Sequence, residues 1–320
     1  MIFNTDRENF NYSGKYSQDK FEVWYFDALD NDGEYYFTAR IFAGNPVVES
    51  HRKDQEEDVS LSYCGIRFFL YFRSRLIYDA VYDYRKGFFI TEDLGNFSGM
   101  KIDRNVFYYD PENNKYILII NYSTSDLDNK FKAEFEFKPL INKLSFQEIT
   151  AGEDKLIEYW LPLSPVNEVT GKFKFYKDFK RVKSIFTGTG YIEKTWGPIS
   201  SKENLTASYW GKFTDKEYSF IFFVAEYKEG KEFRKLIIYK NNLLFLEKED
   251  FEFELKRTFF SKKIKSVYIK SSELEIKLNN EINIESGEFG DKYLSVFEMI
   301  INGKSIISNV NGFFKNMNNS

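Results

Sequence analysis

Residues 131–138 read Phe-Lys-Ala-Glu-Phe-Glu-Phe-Lys, an unbroken alternation of apolar and charged side chains. A period of two fits a strand with one face against a core and the other in water, and it does not fit a helix, whose apolar residues recur three and four apart. Other strand-like stretches follow the same rhythm at 21–29, 35–42, 59–73, 76–84, 101–109 and 115–122, and again through 169–175, 182–196, 205–213, 218–227 and onward. Turn chemistry separates them: Asn31-Asp32-Gly33, Asp110-Pro111-Glu112-Asn113-Asn114, Thr214-Asp215-Lys216, Lys228-Glu229-Gly230 and Asn241-Asn242. No stretch reads as a long amphipathic helix. The expected fold class is all-β, with two antiparallel β-barrel or β-sandwich domains, and a chain of 320 residues is comfortable for two. Residues 139–154 carry no strong period, and Pro162 and Pro165 bracket a junction, which places the domains at 1–163 and 164–320.

Composition narrows the function. Lys and Arg number 45 against 49 Asp and Glu, so no basic surplus argues for nucleic acid or an anionic membrane surface. No apolar run approaches the roughly 20 residues of a membrane helix. One cysteine, Cys64, cannot form an intrachain disulfide, and the first residues lack the basic and apolar regions of a signal peptide, so a cytoplasmic chain is expected. The single histidine, His51, lies in the charge run 51–58, read as a solvated loop; multi-histidine metal sites and His-based hydrolase triads are excluded. Gly188-Thr189-Gly190 lacks the third glycine and following helix of a dinucleotide fingerprint. The expectation is no metal and no cofactor. Aromatics reach 19%, with 35 Phe and 23 Tyr, which suits pleated surfaces and apolar cavities alike.

The richest stretch is 187–198, Thr-Gly-Thr-Gly-Tyr-Ile-Glu-Lys-Thr-Trp-Gly-Pro. As a strand it puts Gly188, Gly190, Ile192, Lys194 and Trp196 on one face and Thr189, Tyr191, Glu193 and Thr195 on the other. Lys194 on an otherwise apolar face needs a partner or a wet cavity, and Gly188 and Gly190 leave room for another backbone or a ligand. Glu22, beside Trp24 and Phe26, repeats the situation of Lys194. The two charges are therefore expected to pair in one cavity near the domain junction, ringed by Trp24, Trp196 and Trp210. The other reading of the pattern is a bent structural strand whose lysine reaches solvent. Tyr209-Trp210-Gly211-Lys212 is a third candidate segment, with Trp210 and Lys212 on one face.

Gly190-Tyr191-Ile192-Glu193-Lys194-Thr195-Trp196-Gly197 resembles the Gly-Tyr-His-Asp-His-Asn-Trp-Gly signature of carotenoid 1,2-hydratases and AttH-like proteins, and the Glu-Lys-Asn-Trp-Gly of tocopherol cyclases. Residues 21–28, Phe-Glu-Val-Trp-Tyr-Phe-Asp-Ala, are similar to the Glu-Trp-Trp-Tyr-Phe-Asp-Ala segment of those hydratases, and Trp160-Leu161-Pro162 with Gly171 is similar to their Trp-x-x-Pro region. The resemblance implies a lipocalin-like superfamily of two β domains that binds hydrophobic molecules and also includes fungal decalin-forming Diels–Alderases. Ile192 and Lys194 stand where the hydratase pattern has histidines, so hydratase chemistry is not carried over. Together the residues and the resemblance imply a cofactor-free cyclase or hydratase-like enzyme on an isoprenoid, polyene or polyketide substrate at the domain junction. Glu22, Glu193 and Lys194 are the catalytic candidates, and Trp24, Phe26, Tyr191, Trp196, Tyr209, Trp210 and Lys212 the ligand-binding ones. The alternative is a non-catalytic binder or carrier of a hydrophobic small molecule.

Overall fold

The structure is a computed structural model that describes residues 20–44, 64–84, 89–90, 98–123, 130–141, 149–151, 158–177, 180–198, 205–259, 263–285 and 290–318. His51 and the charge run 51–58 lie outside the described residues. The chain divides into two compact units, Met1–Lys202 and Glu203–Ser320. No helix among the described residues is long and apolar enough to cross a membrane.

The first unit holds β1 (Lys20–Asp30), β2 (Tyr35–Ala43), β3 (Cys64–Phe72), β4 (Arg75–Tyr84), β5 (Phe89–Ile90), β6 (Ser98–Ile102), β7 (Asn105–Asp110), β8 (Lys115–Ser123), β9 (Lys130–Pro139), β10 (Ile149–Ala151), β11 (Glu158–Lys177) and β12 (Lys180–Pro198). They form one sheet in the order β4-β3-β2-β1-β12-β11-β9-β8-β7-β6-β5, with β10 on β11. The sheet curls on itself. Phe37 of β2 stacks on Phe135 of β9 at 4.0 Å, and Trp24 of β1 meets Phe107 of β7 at 5.4 Å, although several strands separate each pair along the sheet. One face of nearly every strand thus shares a single aromatic core. The alternation at 131–138 appears as expected, with Phe131, Ala133, Phe135 and Phe137 buried in it.

The position 163/164, where a division was expected, lies inside β11, and the two compact units part at 202/203. Pro162 and Pro165 mark an irregularity within the strand: the β11–β12 register shifts between Leu161 and Ser164 and again between Ser164 and Asn167. A proline cannot donate to the ladder, so inside a sheet it is tolerated at such a bulge. Asn167, fully buried, pins the irregularity by donating to the carbonyls of Ser164 (2.8 Å) and Gly190 (3.1 Å) while accepting from the Ser164 hydroxyl (2.6 Å).

The second unit is a nine-stranded sheet of β13 (Leu205–Thr214), β14 (Tyr218–Tyr227), β15 (Glu232–Lys240), β16 (Leu243–Lys248), β17 (Glu252–Arg257), β18 (Ile264–Lys270), β19 (Leu274–Glu285), β20 (Asp291–Ile301) and β21 (Lys304–Asn318). Its order, β16-β15-β14-β13-β21-β20-β19-β18-β17, is an up-and-down meander whose first and last strands pair. The turn at Asn241-Asn242 puts both residues at positive φ (50° and 62°), as a tight hairpin requires.

Candidate functional site

Antiparallel pairing of β1 with β12 sets Glu22 opposite Trp196, Trp24 opposite Lys194, Tyr25 opposite Glu193 and Asp27 opposite Tyr191. Because successive side chains alternate, the two strands build two different constellations, one on each face.

On the core face the Lys194 Nζ lies 2.8 Å from Glu22 Oε2, with side chains 4% and 3% exposed. The ammonium sits 5.0 Å from the Trp24 ring centre and 5.3 Å from that of Trp196, which itself stacks on Tyr159 of β11 at 5.1 Å. Phe26 lies deeper, edge-on to Phe107 and Phe137. Burial pulls the Lys194 pKa below the ordinary lysine value, and the Glu22 carboxylate only partly offsets it. Gly188 and Gly190 prove to admit the protein itself: a Cβ at 188 would lie 2.0 Å from the Leu29 carbonyl oxygen, and one at 190 would lie 2.5 Å from a Val169 methyl.

On the opposite face Glu193, half-buried, receives two donors on the same oxygen, Oε2: the Tyr191 hydroxyl at 2.7 Å and the Trp160 indole N–H at 2.5 Å. Alongside, the Tyr25 hydroxyl donates to Asp27 Oδ2 at 2.8 Å, and the Arg40 guanidinium lies 5.8 Å from the Tyr25 ring centre. Asp27 and Tyr191 are fully buried, and Arg40 is 3% exposed. Burial, and then the Asp27 carboxylate, raise the Tyr25 phenol well above its usual pKa. Trp160 reaches Glu193 from β11, immediately before the bulge that Asn167 fixes. Sequence reasoning singled out Glu193 and Tyr191 but passed over Tyr25, Asp27, Arg40, Tyr159 and Trp160. The period-two reading of 21–28 already put Tyr25 and Asp27 on one face.

Tyr209, Trp210 and Lys212 belong to the second unit; within the first, Trp24 and Trp196 lie beside Lys194, and Tyr159 stacks on Trp196. Within their own unit Tyr209 turns into the core against Phe253 (5.2 Å), while Trp210 and Lys212 share the other sheet face with Lys292 and Phe313. No group of three or more His, Cys, Asp or Glu side chains among the described residues is placed to hold a metal ion.

No family model matches the chain. A hydroxyneurosporene dehydrogenase of Chlorobaculum tepidum is 28% identical over 220 residues, a match spanning 64% of this chain and 56% of that protein. The chain therefore spans little more than half the length of this curated relative. Among solved structures, CghA with Sch210972 superposes with a TM-score of 0.67 at 10% identity, covering 94% of this chain and 88% of its own. An AttH-like protein of Nitrosomonas europaea superposes with a TM-score of 0.64 at 12% identity, covering 99% and 97%. The chain thus shares its fold with CghA and the AttH-like protein, and over part of its length it is similar in sequence to the hydroxyneurosporene dehydrogenase.

Proposed function

We propose that this chain is a cofactor-free enzyme acting on a hydrophobic isoprenoid or polyene chain by proton transfer, as a cyclase or a hydratase-like catalyst, with Glu193 as its acid and base. The observation that carries the reading is the grip on Glu193: Tyr191 and Trp160 both donate to Oε2. The proton of its acid form is thereby left to Oε1. Glu193 also occupies the place of the aspartate in the hydratase signature.

The step balances without a cofactor. The Oε1 proton passes to one carbon of a substrate double bond, leaving a cation on the other carbon and a carboxylate on Glu193. Attack by a second double bond followed by loss of a proton to that carboxylate gives a cyclised isomer; attack by water followed by the same loss gives an alcohol. Holding the chain in a reactive conformation supplies much of the acceleration, up to roughly 7–11 kcal/mol for a well-oriented near-attack geometry.

A non-catalytic binder is the second reading. Its support is the core face, where Ile192 and Lys194 replace the two signature histidines and Lys194 is committed to Glu22. Incubation of the protein with acyclic carotenoids and prenylated phenols in deuterated water separates the two. The enzyme reading expects a deuterated isomer or hydrate by mass spectrometry, lost in Glu193→Gln with binding retained. Saturable binding with no product across the panel would leave the carrier.

A further inference from the structure

The face of β1, β2 and β12 that carries Glu193 is a pad of polar side chains. Antiparallel register sets Glu193, Tyr25 and Arg40 in one row across the three strands, and Tyr191, Asp27 and Thr38 in the next. Both rows lie on the side opposite Phe26, Ala39 and Ile192, which belong to the aromatic core. The pad bonds within itself: Tyr191 and Trp160 donate to Glu193, and Tyr25 donates to Asp27 at 2.8 Å. Thr38 takes no part in this. The residue is 1% exposed, and its hydroxyl oxygen has no hydrogen-bond partner among the described residues.

A hydroxyl shut away from water without a partner is costly, and a valine would fill the same place in a strand without that cost. The polar group therefore points to a bound molecule that completes it. The surroundings select its chemistry. Asp27, directly across the ladder from Thr38, acts as an acceptor toward Tyr25. A carbonyl or carboxylate brought beside it would set acceptor against acceptor, whereas a hydroxyl can donate on one side and accept on the other. On the other flank β3 sets Phe69, half-buried, opposite Thr38, an apolar surface for the carbons next to that hydroxyl. Glu193 stands two strands across and two residues along from Thr38, about 12 Å by the spacing of a sheet.

We infer that Thr38 receives a hydroxyl group of the ligand, so that the chain acted on at Glu193 is an alcohol or a phenol rather than a pure hydrocarbon. The inference rests on the proposal that this face handles a hydrophobic chain, and it adds the polar end of that chain. Anchoring the oxygen at Thr38 fixes which double bond comes to Glu193, whereas a hydrocarbon free to slide along the pad has no such register.

The test compares ligands that share a tail and differ by one hydroxyl. All-trans-retinol and the hydrocarbon with hydrogen in place of its hydroxyl are titrated against the intact protein by tryptophan quenching, and geranylgeraniol and its deoxygenated counterpart by displacement of the bound retinoid. Because water solvates alcohol and hydrocarbon differently, the quantity read is the change in their affinity ratio between parent and variant. Thr38→Val should weaken each alcohol about tenfold and leave its hydrocarbon within about twofold, while Thr38→Ser keeps most of the parent's ratio. The melting temperature of ligand-free Thr38→Val should equal or exceed the parent's, since no native hydrogen bond is lost. A ratio unchanged in Thr38→Val would overturn the inference and leave the hydrophobic-ligand reading standing. So would a fall in its melting temperature, which would show the hydroxyl to be bonded inside the fold. Binding of neither retinoid nor either prenyl compound would remove that reading and the inference with it.

Discussion

Lys194 and Glu22 form an ion pair almost wholly removed from water, Nζ to Oε2 at 2.8 Å, on the aromatic side of β1 and β12. A pair so placed gives up two hydration shells, so its existence is weak evidence of a net gain in stability, whereas removing one partner strands a buried charge. Lys194→Met is expected to destabilise the fold by roughly 3–5 kcal/mol in urea or guanidinium denaturation. Adding Glu22→Gln should recover part of that loss, and additive single effects would show that the pair does not couple.

The bulge in β11 depends on one side chain. Asn167→Ala removes all three of its hydrogen bonds in a site with no exposure, leaving the Gly190 carbonyl without this donor. The expected cost is about 1–3 kcal/mol. Since Trp160 reaches Glu193 from just before the bulge, the near-ultraviolet circular dichroism of the tryptophans should change as well. Loss of stability with an unaltered aromatic spectrum would mean the bulge does not position Trp160.

Gly188→Ala tests the close approach of β12 to β1. An added Cβ would sit 2.0 Å from the Leu29 carbonyl oxygen and 2.7 Å from the Asp30 Cα, both backbone atoms with little freedom to move. Overpacking of this kind typically costs about 1–3 kcal/mol, and rigid neighbours push it toward the upper end. A variant as stable as the parent, measured by thermal melting, would show that the strands separate readily.

Cys64 is fully buried, and burial raises its pKa from 9.0 to about 11. The folded state keeps this proton longer than the unfolded chain. Its contribution to stability is therefore complete below pH 9.0 and lost as pH climbs to about 11. A disulfide reagent at pH 8 should label native protein only at the rate of unfolding and label denatured protein at once. Rapid labelling of the native state would contradict the burial.

Much of this was legible from alternation alone. Phe131–Lys138, the hairpin at Asn31-Asp32-Gly33 and the sharing of a face by Glu22, Trp24 and Phe26 follow from a period of two, and the structure shows each. The Glu22–Lys194 pair was also within reach, since each charge stood among apolar neighbours on its own strand. The unit boundary was not. A proline at a bulge and a proline at a linker look the same in one dimension, and what distinguishes them is Asn167, whose partners lie as far as 23 positions away along the chain. Nor could the sequence say what fills the space beside Gly188 and Gly190, because the answer, the Leu29 carbonyl and Val169, comes from strands brought alongside by folding.

The two-sidedness of β12 separates the fates of its signature positions. Residues 192 and 194 project into the aromatic core, and Glu193 projects to the other side with Tyr191 and Trp160. The histidine positions of the resembled pattern are thus both on one side of the sheet and the carboxylate position is on the other. Exchange of two imidazoles for an aliphatic group and an ammonium remodels a single side, where Glu22 pairs with the ammonium. A shift of the strand by one residue, in contrast, would exchange the sides and drive Glu193 into the aromatic core. Divergence at this strand is therefore open to substitution, one side at a time, and closed to insertion or deletion.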